Sequence, residues 1–422
     1  MVSLSFINHC FFIMEEDLIK FNFPRKEEGS VRPVIIKVVG VGGGGGNAVA
    51  NMFRQGIKDV SFAVCNTDSQ ILLESEIPCK VQLGPGLGAG GDPEKGRKYA
   101  EESLEDLRTL FDDGTQMAFV TAGMGGGTGT GAAPVIARVA KSMGILTVGI
   151  VTIPFLFELK PRIAQALKGV DELRKNVDAL LVINNERILE LYNADVPIPA
   201  KEAFKRADDI LTTAAKSIAE IITMKGNINR DFRDVEATLK NGNKAIMTTG
   251  TAKGENRVQN AIRSALNSPL LQDNDIQKSQ KMLCVLYTGE RHPLLINEIK
   301  QMNEFIASLN NQNINLIWGM YEDNSLDEEA KITIIATGFD RAVAEMSDLS
   351  SSQEEEDRKI DELIRQYYAV PQKGKEAAAE VKASEREEPD AGEGQVVETP
   401  PVAEKKSIVQ SIKDWINQFV SA

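Results

Sequence analysis

The chain of 422 residues carries 48 Lys and Arg against 61 Asp and Glu, a formal net charge of −13, and is 42 % hydrophobic and 6 % aromatic. That length points to two domains with further segments and to real cores, while the acidic balance argues against binding nucleic acid by counterion release. Two histidines (His9, His292) and four scattered cysteines (Cys10, Cys65, Cys79, Cys284) without a CxxC pair give no support to a zinc site, a disulfide framework or a histidine triad. Carboxylates, backbone amides or a bound metal ion are left for any catalysis. No run of about 18 apolar residues suggests a membrane span.

In chain order, residues 1–30 include an apolar stretch, Ser3 to Met14, with no leading Lys or Arg and no small-residue cleavage site. They read as a flexible leader rather than a secretory signal, with Met14 a candidate start and order expected from about Val31. Val34 to Val39 is a β-branched run that predicts a buried parallel strand. The same signal recurs at Val60–Val64, Met117–Thr121, Leu146–Thr152 and Ala179–Ile183, with helical stretches between. This alternation predicts a doubly wound parallel α/β domain over 31–202.

A long helix follows, Ala203 to Met224, on which Phe204, Ala207, Leu211, Ala214, Ile218 and Ile221 form an apolar stripe at spacings of three and four. It spans a connecting segment, 203–225, between two α/β units. The second and smaller unit, 226–340, has strand signals near Ala245–Thr249, Met282–Tyr287, Asn315–Trp318 and Lys331–Ala336. Residues 341–406 are rich in Glu, Lys, Ala, Pro and Gly and predict a disordered linker. The last segment, 407–422, places Ile408, Ile412, Trp415 and Phe419 at helical spacing. An amphipathic peptide after a linker reads as a docking element for another protein rather than a membrane anchor.

Two glycine tracts carry the chemistry. Gly40-Val41-Gly42-Gly43-Gly44-Gly45-Gly46-Asn47 lies between a strand and a helix predicted over Asn47–Phe53, where backbone N–H groups and the helix N-terminus form an anion site. Alone, Gly40, Gly42 and Gly45 also fit the dinucleotide fingerprint GxGxxG, which keeps a nicotinamide-dependent oxidoreductase open. The second tract, Gly123-Met124-Gly125-Gly126-Gly127-Thr128-Gly129-Thr130-Gly131, follows another strand and precedes a helix predicted from about Ala132. It makes a second phosphate cradle, with two threonine hydroxyls able to donate to phosphate oxygens. Two such loops on adjacent strand ends suit a nucleoside polyphosphate, and the turn Gly84 to Gly91 could close over its last phosphate. No GxxxxGK[ST] occurs, so the chain is not a P-loop NTPase.

Gly125 to Gly131 reads GGGTGTG and resembles the signature of the tubulin/FtsZ superfamily, a resemblance that extends from about Val34 to Phe339. Pro154-Phe155-Leu156-Phe157-Glu158-Leu159-Lys160-Pro161-Arg162 is similar to the family's PFxFEGxxR element, with Leu159 in place of the usual glycine and an uncommon Pro161. The resemblance implies a tubulin-like fold and a GTP/GDP site. The phosphates would lie on Gly43, Gly44, Gly45, Gly46, Gly126, Gly127, Thr128, Gly129, Thr130 and Gly131. Glu158 would meet the ribose, Arg162 the nucleotide, and Phe204, Asp209, Asn47 and Asn185 the guanine. Asp208 stands where the family more often has Asn. Asn227 to Asp234 is similar to the family's NxDFxD loop, so Asn229, Asp231 and Asp234 are implied to act on the nucleotide of the next subunit in a head-to-tail filament. The resemblance further implies Mg²⁺ bridging the phosphates, a cytoplasmic filament at the division site, and a membrane-tethering division protein as partner of 407–422.

Overall fold

The computed structural model describes residues 34–57, 59–190, 199–223, 232–268, 276–308, 314–323, 325–339 and 353–368. The leader, most of the expected linker, the 407–422 peptide, and Asn229 and Asp231 lie outside these residues.

The first unit runs β1 (Ile36–Val41), α1 (Gly42–Arg54), β2 (Val60–Asn66), α2 (Ser69–Glu74), β3 (Cys79–Gln82), α3 (Pro93–Glu102), α4 (Leu104–Phe111), β4 (Met117–Gly123), α5 (Gly127–Ser142), β5 (Leu146–Ile153), α6 (Lys160–Lys175), β6 (Ala179–Asn184) and α7 (Asn185–Glu190). The long helix α8 (Ala200–Thr223) leads through α9 (Phe232–Leu239) to β7 (Asn243–Ala252), α10 (Arg257–Leu266), β8 (Lys281–Thr288), α11 (Ile296–Ser308), β9 (Asn315–Glu322) and β10 (Ala330–Thr337). A last helix, α12, spans Gln353–Tyr368.

Among the described residues one sheet of ten strands has the order β3-β2-β1-β4-β5-β6-β7-β10-β8-β9. β1 pairs in parallel with both β2 and β4, and all six of its residues are buried. Its β-branched run follows from that position, because a central parallel strand is covered on both faces. Ile36 and Val38 face one core with α1 and α8, while Val39 and Val41 face the other with α3 to α6.

The two α/β units share this one sheet, because β6 pairs in parallel with β7 through Ala179–Asn243, Leu180–Lys244 and Leu181–Ala245. Three expectations are corrected. Helices α1 and α5 start at Gly42 and Gly127, about five residues before the sequence suggested. Glycine lowers helix propensity by about 1 kcal/mol per residue, and here tertiary contact overrides it. The segment expected to be linker contains α12, whose Ile360, Ile364 and Tyr368 join the core beside α6. Finally, α8 buries Ala207, Leu211, Ala214, Ala215, Ile218 and Ala219, but Phe204 at the head of the expected stripe is 43 % exposed.

Candidate active site

The C-terminal ends of β1 and β4 lie side by side, with Val41 opposite Ala122, and each feeds directly into a helix. Neither α1 nor α5 has a side-chain cap or an acidic residue in its first turn. Their neighbours are capped ordinarily. Asp68 accepts from Gln70 N at 2.9 Å at the start of α2, and Asp92 accepts from Glu94 N at 2.9 Å at the start of α3. The first N–H groups of α1 and α5 therefore point out without a side-chain acceptor, an arrangement that favours an anion at both ends.

The glycines of the tracts divide into two kinds. A Cβ on Gly43, Gly46 or Gly126 would meet nothing within 4 Å. A Cβ on Gly40 would overlap Gly45 O, and one on Gly45 would overlap Thr121 O, so this pair seats α1 on the sheet. Gly44 stands between the tracts, 3.2 Å from Gly123 Cα by the same measure. On α5, Gly127 is wedged against Asp92 and Ala89, Gly129 against Gly123, and Gly131 against Pro93 and Arg97. Those three let α5 approach β4 and α3 closely. Thr128 and Thr67 join their hydroxyls at 2.6 Å, tying the end of β2 to the second tract. Thr130 is buried and its hydroxyl accepts from Gly125 N at 2.8 Å, which holds the turn closed. The turn at Gly84–Gly91 is fixed behind them by Gly88 N donating to Thr67 O at 2.8 Å and Ser69 N to Gly86 O at 2.9 Å.

From Gly43 and Gly46 an open cleft of about 990 Å³ extends past Asn47 and Asn66 to Phe204 and Asp208. At that far end Phe204 meets the buried Phe155 edge-on at 5.2 Å, and Phe155 stacks on the exposed Phe157 at 5.0 Å. Asn51 Nδ2 donates to Asp209 Oδ1 at 2.9 Å and to Thr212 Oγ1 at 3.0 Å, which fixes the Asp209 carboxylate against α1. Burial, reinforced by Asp209 and opposed by Arg54, pushes the Asp208 carboxyl up to about 7.

Glu158 Oε1 accepts from Phe155 N at 2.9 Å and Oε2 pairs with Arg162 Nε at 3.2 Å, while the Arg162 side chain stays largely exposed. Leu159, where the resembling family has glycine, takes φ 74° and ψ 154°, a region almost confined to glycine. Pro161 is in the first turn of α6, where its missing N–H has no partner to lose. Asn185 opens α7 and is buried, with no hydrogen-bond partner for Oδ1 among the described residues. Asp234 lies in the first turn of α9, and its carbonyl accepts from Thr238 Oγ1 at 3.1 Å. Among the described residues no group of three or more His, Cys, Asp or Glu could hold a metal ion, and no helix is long and apolar enough to cross a membrane.

Sequence reasoning assigned no role to Asn51, Phe157 or the α12 tyrosines. Asn51 was findable, since it lies one turn beyond Asn47 on the same helical face. Phe157 was findable too, two residues from Phe155 in the single 3-10 turn Leu156–Glu158. α12 was hidden by its charge.

Residues 35–193 match the Tubulin/FtsZ family, GTPase domain, and residues 243–340 match the FtsZ family, C-terminal domain. Cell division protein FtsZ of Porphyromonas gingivalis (strain ATCC BAA-308 / W83) is 53 % identical over 332 residues, covering 78 % of this chain and 71 % of that protein. The protein of that name from Wigglesworthia glossinidia brevipalpis is 42 % identical over 309 residues, covering 72 % and 79 %. An empty FtsZ dimer from M. jannaschii shares the fold with a TM-score of 0.67 at 38 % identity, covering 72 % of this chain and 88 % of that one. The GTPγS-bound protofilament of CetZ2 from Haloferax volcanii has a TM-score of 0.63 at 19 % identity over 78 % and 99 %, a likeness of fold alone.

Proposed function

This chain belongs to the tubulin/FtsZ family of GTPases, within its FtsZ cell-division branch, and from that premise we propose that it binds GTP in the cleft at the ends of β1 and β4 and hydrolyses it within a head-to-tail filament. The observation that carries the reading is the pair of uncapped helix N-termini on adjacent strand ends, each beside glycines with open space, with the N-terminus of α1 opening into a cleft walled by Phe204. The phosphates lie along Gly43, Gly44, Gly46, Gly126 and Thr128, held by backbone N–H groups. Phe204 stacks on the base. The Asp209 carboxylate, oriented by Asn51, accepts from guanine N1–H and N2–H, donors that adenine does not present together. The unpartnered Asn185 Oδ1 suits a further donor from the nucleotide, and Glu158 with Arg162 borders the ribose.

The nicotinamide reading has less support. Gly40 and Gly45 pack on each other, and α5's N-terminus would lack a ligand. Magnesium fits as an ion carried on the phosphates with water, since it needs few protein carboxylates, and it would neutralise phosphate charge there. Hydrolysis is assigned to Asn229, Asp231 and Asp234 of the next subunit, whose carboxylates orient the attacking water. That contact is heterologous and generates open filaments. M. jannaschii FtsZ solved as a dimer is consistent with self-association. Under the same proposal the filament acts in the cytoplasm at the division site, and residues 407–422 dock a membrane-tethering protein.

The test is to release and identify the nucleotide bound to purified protein, then measure GTP binding and turnover in Asp234→Ala. Guanine nucleotide, unchanged affinity and a loss of turnover of about 100-fold or more are expected. Release of a nicotinamide dinucleotide would refute the nucleotide assignment, and a large affinity loss in Asp234→Ala would refute the in-trans assignment.

A further inference from the structure

Helix α12 comes after the second α/β unit in the chain yet packs on α6 of the first. Ile360, Ile364 and Tyr368 are buried in the core that contains Ile163, Leu167 and Val170 of α6. Three polar contacts join it to the segments that border the far end of the cleft. Tyr368 Oη donates to Pro154 O at 2.6 Å, and Asn184 Nδ2 donates to Tyr367 O at 2.7 Å. Lys160 Nζ pairs with Asp361 Oδ1 at 3.0 Å.

These contacts bracket the segment that carries Glu158. Pro154 precedes it and Lys160 follows it, with Leu159 between them in a conformation that non-glycine residues hold only when their surroundings enforce it. Asn184 is bonded to α12 immediately before Asn185 in the chain. Leu156 N donates to Glu186 Oε2 at 2.9 Å, tying the same loop to α7. Burial, with the nearby charges of Glu186 and Glu158, pushes the Tyr368 phenol up, so it remains a donor across the physiological range.

We propose that α12 is a positioning strap, in which Tyr368 and Asp361 hold the Pro154–Lys160 loop so that Glu158 is set for the nucleotide sugar. Residues 353–368 are then a working part of the nucleotide-binding unit rather than the start of a tether. The inference rests on the guanine-nucleotide reading of the cleft.

GDP affinity is measured by calorimetry on the full chain, at a concentration where sedimentation shows monomer. The wild type is compared with Tyr368→Phe, Ile364→Asp and Glu158→Gln, and with Tyr368→Phe combined with Glu158→Gln. Tyr368→Phe keeps the packing and removes one hydrogen bond, so GDP binding weakens about fivefold. Ile364→Asp undocks the helix and weakens it about tenfold or more. In the Glu158→Gln background the Tyr368→Phe effect falls below about twofold, because the strap acts through Glu158. Wild-type affinity in Tyr368→Phe, or a loss that persists unchanged without Glu158, overturns the strap. A wild type that binds no GDP overturns instead the reading of the cleft.

Discussion

In the tract that opens α1, a methyl group on Gly43 or Gly46 would meet no atom within 4 Å, whereas in the tract that opens α5 one on Gly127, Gly129 or Gly131 would run into backbone. Both tracts follow a central parallel strand and both begin a helix without a side-chain cap. The difference lies in what occupies the space that glycine leaves. In the first tract Gly43 and Gly46 keep open space at the start of α1. In the second, Gly127, Gly129 and Gly131 make room for β4 and α3 and Gly125 makes room for Pro154 and Arg162, while Gly126 keeps open space at the start of α5.

Substitutions separate the two roles. The largest effect is expected at Gly131, where a Cβ would overlap Pro93 O and sit 2.7 Å from Arg97 N. Gly131→Ala should lower stability by about 3 kcal/mol, seen as a drop in the urea midpoint, since neither backbone can move without parting α3 from α5. Asp208 tests crowding by charge on the ligand side. Its carboxyl is raised to about 7 by burial and then by Asp209. The folded state therefore holds this proton more tightly than the unfolded chain, and stability falls as pH rises between about 4 and 7. In nucleotide-free protein Asp208→Asn should remove that slope and add about 2 kcal/mol at pH 8 with little change at pH 4, measured by urea denaturation at both.

Gly46→Ala should behave in the opposite sense to Gly131→Ala. The methyl enters open space on a helix, so stability rises by about 0.5–1 kcal/mol while GTP affinity falls about tenfold, read by calorimetry. A loss of stability comparable to that of Gly131→Ala would erase the distinction between the tracts. The smallest effect concerns a glycine this chain lacks. Leu159 is 59 % exposed and strained, so Leu159→Gly should raise the thermal midpoint by the equivalent of about 1 kcal/mol.

The strands were legible because buried parallel strands need β-branched runs such as Val34 to Val39, and sequence shows such runs directly. The glycine tracts were legible as junctions between strand and helix, but not the different packing of their glycines, because a glycine letter does not say which atom comes close to it. Helix starts were misplaced for the same reason. Phe204 continues the apolar period of α8, and periodicity alone cannot tell a core ring from one left open to a cleft. Ile360, Ile364 and Tyr368 follow a helical spacing too, but Glu354 to Asp357 before them and the Pro- and Glu-rich text after them dominated the composition. The continuity of the sheet through β6 and β7 depends on three residue pairs far apart in sequence, a contact that no local pattern records.

The most direct measurement is GTP turnover per subunit against protein concentration, with magnesium, alongside sedimentation. A threshold below which turnover vanishes, coinciding with the onset of pelleting, is the predicted result for a site completed by Asp231 and Asp234 of a neighbour. Constant turnover per subunit down to dilute protein would contradict it, because a whole active site would then reside in one chain.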